Sequence, residues 1–205
     1  MQFESKNATV QCIFNPHLLD DNTIHVQTIE YMKGVEIIKS DNKKAHMAMY
    51  KNYKSLIGSL VKTENFCVGV NAEYIADSLA VSDALLFVYL NNETCGFATI
   101  NFIDLVLNVD VICTNKTMKG VGTFMVKTLK KIASKLGLTS IKLKSVTTAI
   151  GFYLKQNFEC DSLCPMVLSL DNQLSTQSKS RSKSKSRSKS KSRSKSKIRS
   201  RSNKQ

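Results

Sequence analysis

The sequence predicts an α/β fold in which a mixed, mostly antiparallel sheet is flanked by helices, with a disordered basic tail at the C-terminal end. Three observations carry that prediction. Three β-rich runs with short connections follow one another between Asp83 and Thr114. Residues 119–136 then switch to helical spacing. From Ser178 onward, serine alternates with lysine or arginine.

DALLFVYL (Asp83 to Leu90) and CGFATINF (Cys95 to Phe102) are rich in β-branched and aromatic residues, and NNET between them is a good hairpin connection. LVLNVDVICT (Leu105 to Thr114) follows as a third antiparallel strand. In 119–136, Val121, Phe124, Met125, Thr128, Leu129, Ile132, Ala133 and Leu136 fall on one helical face, with Lys127, Lys130, Lys131 and Lys135 on the other. Gly137 ends that helix where a left-handed residue costs least. SIKLKSV (Ser140 to Val146) alternates as a strand. TTAIGFYLKQN (Thr147 to Asn157) begins with a hydroxyl cap and continues as a short helix, and FECDSL and PMVLSL supply two closing strands.

Upstream, Met49, Tyr53, Leu56, Ile57 and Leu60 share a helical face, VQCIF reads as an edge strand, and IHVQTIEYMKGVEII fits either a helix or a strand. The chain therefore divides into residues 1–80, the N-terminal part of the domain with one or two helices; 81–172, its core; and 173–205, the tail.

The charge is concentrated. Of 30 basic residues, 13 lie in residues 178–205, leaving 17 against 16 acidic ones in the rest, so a net charge of +14 describes the tail and not the body. That tail is predicted to bind RNA or DNA nonspecifically through its charge. Its serines make phosphorylation a switch of sign, and a solubilising or nuclear-import role competes with both readings. No apolar run reaches the roughly 18 residues that span a bilayer, and MQFESKNATV has no signal-like pattern; an intracellular protein of cytoplasm or nucleus, without a membrane partner, is expected. The six cysteines form no CxxC pair and are read as reduced, mostly buried thiols. His17, His25 and His46 lack metal-ligand spacing and read as surface or packing residues, so no metal site is predicted.

TMKGVGTFMVKTLKK (Thr117 to Lys131) places two glycines between a strand and a helix. A Walker loop requires GxxxxGK followed by Ser or Thr, which is absent, and a dinucleotide fingerprint requires a small residue where Met125 stands. What remains is physical: the first helical turn offers unpaired N–H donors and partial positive charge, and glycine lets a phosphate approach that backbone. Lys119 adds a full charge at the rim. Taken alone, this pattern equally fits a tight turn with glycines for packing.

A second motif bears on that choice. KGVGTFM resembles the acyl-coenzyme A loop of the GCN5-related N-acetyltransferases (GNAT), Gln or Arg, two residues, Gly, one residue, Gly or Ala, with Gly120 and Gly122 matching and Thr117 departing. AIGFYLKQNF (Ala149 to Phe158) is similar to the closing helix of that family: Ala149, Tyr153 and Phe158 fit its spacing, while Val146 and Asn157 stand where the family often has Asn and Gly. The resemblance covers Asp83 to about Asp171.

The resemblance implies a GNAT-like fold and an acetyl-CoA-dependent N-acetyltransferase in which a primary amine attacks the thioester directly. Main-chain groups of Val111, Ile112 and Cys113 would pair with the pantetheine, and the amides of Lys119, Gly120, Val121, Gly122 and Thr123 would hold the pyrophosphate. Tyr153 would protonate the departing thiolate, against the alternative of an aromatic packed on the sheet. Asp110, the sole carboxylate inside the central strand run, would deprotonate the amine, against the alternative of a solvent-facing carboxylate. The acceptor is left open among a protein amine, a polyamine and a small molecule. The competing function is a catalytically weak GNAT-like platform whose basic tail binds nucleic acid.

Overall fold

The structure, a computed structural model, describes residues 5–19, 29–30, 32–160 and 165–170. The serine/basic repeat, His25, Cys164 and residues 24–28 and 31 of the ambiguous N-terminal stretch lie outside the described residues.

The elements run β1 (Ala8–Phe14), α1 (Pro16–Leu19), β2 (Glu36–Ile37), α2 (Lys43–Leu60), α3 (Ala72–Val81), β3 (Ala84–Leu90), β4 (Glu93–Ile103), β5 (Val106–Thr114), α4 (Val121–Lys135), β6 (Ser140–Lys144), α5 (Ile150–Leu154), β7 (Glu159–Cys160) and β8 (Pro165–Ser169). Among the described residues the strands form one sheet in the order β2-β1-β3-β4-β5-β6-β8-β7. The β1–β2 and β5–β6 pairs are parallel and the rest antiparallel. The predicted mixed, mostly antiparallel sheet with flanking helices is what the chain forms.

Local chemistry explains most boundaries. Asn91 and Asn92, at φ 52° and 65°, turn β3 into β4, since asparagine tolerates the left-handed region a tight hairpin needs. Gly137 at φ 69° closes α4: its N–H donates to the Ser134 carbonyl and the Leu138 N–H to the Ala133 carbonyl, the paired bonds of a Schellman end. The Asn42 side chain caps α2 by accepting from the Lys44 and Ala45 amides, and Asn71 caps α3 by accepting from Glu73.

Three sequence expectations are corrected. VQCIF lies inside β1, which is not the edge, because β2 pairs with its other side. The helix after β6 has no hydroxyl cap: Val146 stands at the cap of a 3₁₀ turn (Thr147–Ala149) with no side-chain hydrogen bond. Cys67 and Cys113 are joined by a disulfide across a separation of 46 residues, with Cα atoms 4.9 Å apart. Motif spacing does not report such a long-range contact. Cys12 and Cys95 are buried free thiols.

Each face of the sheet has its own core. Leu86, Ala98, Leu107 and Val109 pack with Met125, Leu129 and Ile132 of α4, while Leu85, Phe87, Phe97 and Val111 pack with Tyr50 and Ile57 of α2 and Ile75 and Leu79 of α3. Within β5, Val109 thus faces one core and Val111 the other. The cause is a β-bulge: Val111 pairs with Thr99 and Val109 with Ile100, so Asp110 is the extra residue and the strand changes face there. Thr99 secures the irregular turn, accepting at Oγ1 from the Val111 N–H at 3.1 Å and lying 2.6 Å from Ser78 Oγ of α3.

Gly96 of β4 lets α4 settle against the sheet. A Cβ there would stand 2.7 Å from Met125 Sδ, 3.0 Å from the Cys113 carbonyl oxygen and 3.2 Å from Val121 Cγ1. The carbonyl is sheet backbone and cannot step aside. Gly96→Ala is expected to cost about 1–3 kcal/mol through overpacking, read from the urea midpoint.

Candidate active site

The β5–β6 pairing starts at Val106↔Ser140 and stops at Val109↔Leu143, yet β5 runs on to Thr114. Beyond the bulge, β5 is bonded on the β4 side and open on the other. The Asn115 N–H donates to the Cys95 carbonyl, and main-chain groups alternate sides along a strand. Ile112 and Thr114 therefore turn their N–H and C=O groups to the open edge, whereas Val111 and Cys113 turn theirs to β4; this corrects the expectation that the main-chain groups of Val111 and Cys113 face the pantetheine.

Two cavities follow this edge. The first, of about 540 Å³, is lined by Asp110 to Thr114, the Cys67–Asn71 segment, Tyr74, Lys144 and Tyr153, among others. The second, of about 440 Å³, is lined by Met118, Lys119, Gly120, Gly122, Thr123 and Phe152 with their neighbours. Ile112, Thr114, Lys116, Ala149 and Tyr153 line both, so the two make one groove from the bulge to the start of α4.

The far end of the groove suits an anion. Gly120 sits at the N-cap of α4 at φ 103°, a left-handed value, and being glycine it makes no side-chain cap hydrogen bond to the N–H groups of the first turn. Asn115 orders the approach to this turn, its Oδ1 accepting from the Thr117 N–H at 3.0 Å and the Thr117 hydroxyl at 2.8 Å. Thr117, the position that departs from the family loop, thus has a local structural part. A Cβ on Gly122 would lie 3.3 Å from Phe152 Cζ, so the glycine lets α5 close on α4.

Tyr153 stands where the cavities meet. Only 5% of it is exposed; it is edge-on to Phe158 with ring centroids 5.6 Å apart, and burial pushes its phenol up to about 12. The packing and the functional readings of Tyr153 are therefore compatible. At the other end, Asp110 is half-buried, and burial raises its carboxyl above the ordinary carboxylate value, partly offset by the Asn101 hydrogen bond and the nearby Lys144 charge and reinforced by Asp83. Asn101 Nδ2 donates to Asp110 Oδ2 at 2.5 Å, and the Tyr74 hydroxyl donates to the Asp110 carbonyl oxygen at 3.3 Å. Asp110 lines the first cavity; it is not simply a solvent-facing strand carboxylate.

The structure brings nearly all the sequence-predicted residues to this groove. Asp110, Val111, Ile112, Cys113 and Tyr153 line the first cavity, and Lys119, Gly120, Gly122 and Thr123 the second. Val121 is fully buried under the turn and can contribute only its amide. Sequence reasoning missed Asn71, Tyr74, Lys116 and Lys144. The signal for the first two was present: Asn71 followed by Glu73, with Ile75, Ser78 and Leu79 at helical spacing, marks a capped amphipathic helix. His46 is a packing residue, with Nε2 donating to the Phe14 carbonyl at 2.9 Å. Among the described residues no cluster of potential ligands could hold a metal ion, and no helix is long and apolar enough to cross a membrane.

Comparison with known proteins agrees with this architecture. The family model described as Acetyltransferase (GNAT) family matches residues 40–158. The uncharacterised protein YyaT of Bacillus subtilis (strain 168) is 30% identical over 107 residues, 51% of this chain and 72% of that protein. Similar solved structures include GCN5 from Tetrahymena, at TM-score 0.49 and 14% identity over 64% of this chain and 92% of that one. Another is the PaiA N-acetyltransferase of Thermoplasma acidophilum in complex with coenzyme A, at TM-score 0.37 and 15% identity over 63% and 78%. With more than half of its length matched by the family model, this chain belongs to the acetyltransferase (GNAT) family.

Proposed function

We propose that the chain is an acetyl-CoA-dependent N-acetyltransferase that passes the acetyl group to a primary amine by direct attack on the thioester. The observation that carries this reading is the single groove joining the Asp110 bulge, the open edge of β5, Tyr153 and the uncapped start of α4. The residues fit the donor: the amides of Lys119 to Thr123 supply hydrogen bonds and partial positive charge to a diphosphate, and Lys119 adds a full charge. Ile112 and Thr114 offer main-chain partners to the pantetheine as an added strand would, with Val111 and Cys113 anchoring that edge to β4. When bound, acetyl-CoA supplies an acyl group on a good leaving thiolate; the chain contributes position and charge.

Asp110 accepts the proton of the incoming ammonium, directly or through water, and Tyr153 donates to sulfur as charge develops there. Residues 178–205, with 13 basic side chains, support a separate, salt-sensitive contact with RNA or DNA.

Calorimetric titration of the full chain with acetyl-CoA tests the reading. Saturable binding is expected, followed by thiol release when an amine is added. Gly120→Val should weaken binding about tenfold or more, because a β-branched residue held at φ 103° carries a penalty of about 1–2 kcal/mol or forces the turn open. No measurable binding by the unaltered chain would reject the proposal.

A further inference from the structure

We propose that the acceptor is a small amine carrying its own anionic group, received between Asp110 and Lys144 at the mouth of the first cavity. This rests on the acetyltransferase reading and narrows its substrate class.

Val109↔Leu143 is the last pair of the β5–β6 ladder, so Asp110 and Lys144 are the first residues beyond it, one on each side of the opening. Both line the first cavity, and they are close enough for the Lys144 charge to act on the Asp110 carboxyl. Lys144 is on a strand fixed on its other side by β8, through the Lys144↔Pro165 pair, so its root does not drift. The mouth therefore presents a carboxylate and an ammonium with opposite preferences.

The described lining disfavours the other acceptor classes. Among the described residues Asp110 is its single acidic side chain, while Lys116 and Lys144 are both basic. An amine arriving as a cation can be met and deprotonated by Asp110. A polyamine or a lysine-rich peptide brings further cations, and among the described lining residues there is no second carboxylate to receive them and there are two lysines to repel them. An anionic group on the same molecule reverses that penalty at Lys144. Opposite, Val68 and Tyr74 are exposed to 64% and 38% and line the same cavity, giving an apolar or aromatic body a surface to cover. The repeat tail of this chain is, on the same charge argument, a poor acceptor.

The test is thiol release by the full chain at saturating acetyl-CoA, with phenylalanine, phenylalaninamide and spermidine compared at equal free-amine concentration. Phenylalanine should show a kcat/KM about tenfold or more above either of the others. Lys144→Gln should abolish that preference and Lys144→Glu invert it toward spermidine, with the Kd for acetyl-CoA unchanged in both; Lys144 is exposed, so neither change should disturb folding. Equal rates for the three amines, a preference for spermidine, or a preference indifferent to Lys144→Glu would overturn the inference while acetyl-CoA binding left the acetyltransferase reading standing. Absence of acetyl-CoA binding would remove both.

Discussion

Tyr153→Phe is expected to lower kcat about a hundredfold while leaving the Kd for acetyl-CoA nearly unchanged. The size follows from the proton's two possible owners. Burial lifts the phenol to about 12, which against an ordinary thiol near 8.5 makes complete transfer uphill by about 4–5 kcal/mol. Sulfur leaving in the same groove is desolvated as well, so its own pKa rises and the gap shrinks. On the proposed mechanism Tyr153 would act chiefly as a neutral donor to developing charge, which sets the expected effect at the lower end of the roughly 10²–10⁴ range of general acid catalysis. Because the phenol stays protonated across the working pH, no alkaline loss of activity should be assigned to it below about 12. The acidic loss should come from Asp110: its carboxyl titrates above the usual value, and activity should fall as pH drops through that raised pKa. Asp110→Asn should remove this limb along with most of the rate. A Tyr153→Phe variant with wild-type kcat, measured by thiol release, would return Tyr153 to a packing role alone.

The parts of this site legible in the sequence are those encoded by local spacing. Gly120 and Gly122 announce a helix start that offers amides, Gly137 its end, and the Leu105–Thr114 run its central strand, because backbone conformation and side-chain periodicity act over a few residues. The parts that stayed hidden depend on partners distant in sequence. Nothing in LVLNVDVICT marks Asp110 as the bulge; that emerges only from its register against Thr99 and Ile100. Lys144 reads as an exposed strand residue until Leu143 is seen to be the last one paired with β5. Asn71 and Tyr74 are a different case, since the Asn71 cap and the helical spacing of Ile75, Ser78 and Leu79 are local signals that the ten residues of α3 already carry. The alternation that identifies Ile112 and Thr114 as the open-edge residues also needs the β4 partner, here the Asn115 to Cys95 hydrogen bond.

Reduction of the Cys67–Cys113 disulfide should cost about 4 kcal/mol of stability, the loop-closure value for residues 46 apart. A chain read as fully reduced would show no response to reductant, so the urea midpoint with and without dithiothreitol separates the two views. The consequence extends to the site. Cys67 stands in the segment between α2 and α3 at φ 53°, and that segment, with Val68 to Asn71, walls the first cavity. Its other described ties are the Lys116 N–H donating to the Asn65 carbonyl at 2.9 Å and the buried Phe66, which stacks on Phe97 of β4 with ring centroids 6.5 Å apart. On the proposed reading, releasing the sulfur bond should loosen the acceptor wall while leaving the α4 turn intact, so the acceptor KM should rise several-fold with the Kd for acetyl-CoA unchanged. Cys67→Ser and Cys113→Ser should each reproduce the reduced protein, and the double variant should add nothing beyond either single one, since the two residues act as one bond. Additive losses would instead assign each cysteine an independent packing role and remove the disulfide as the constraint on this wall.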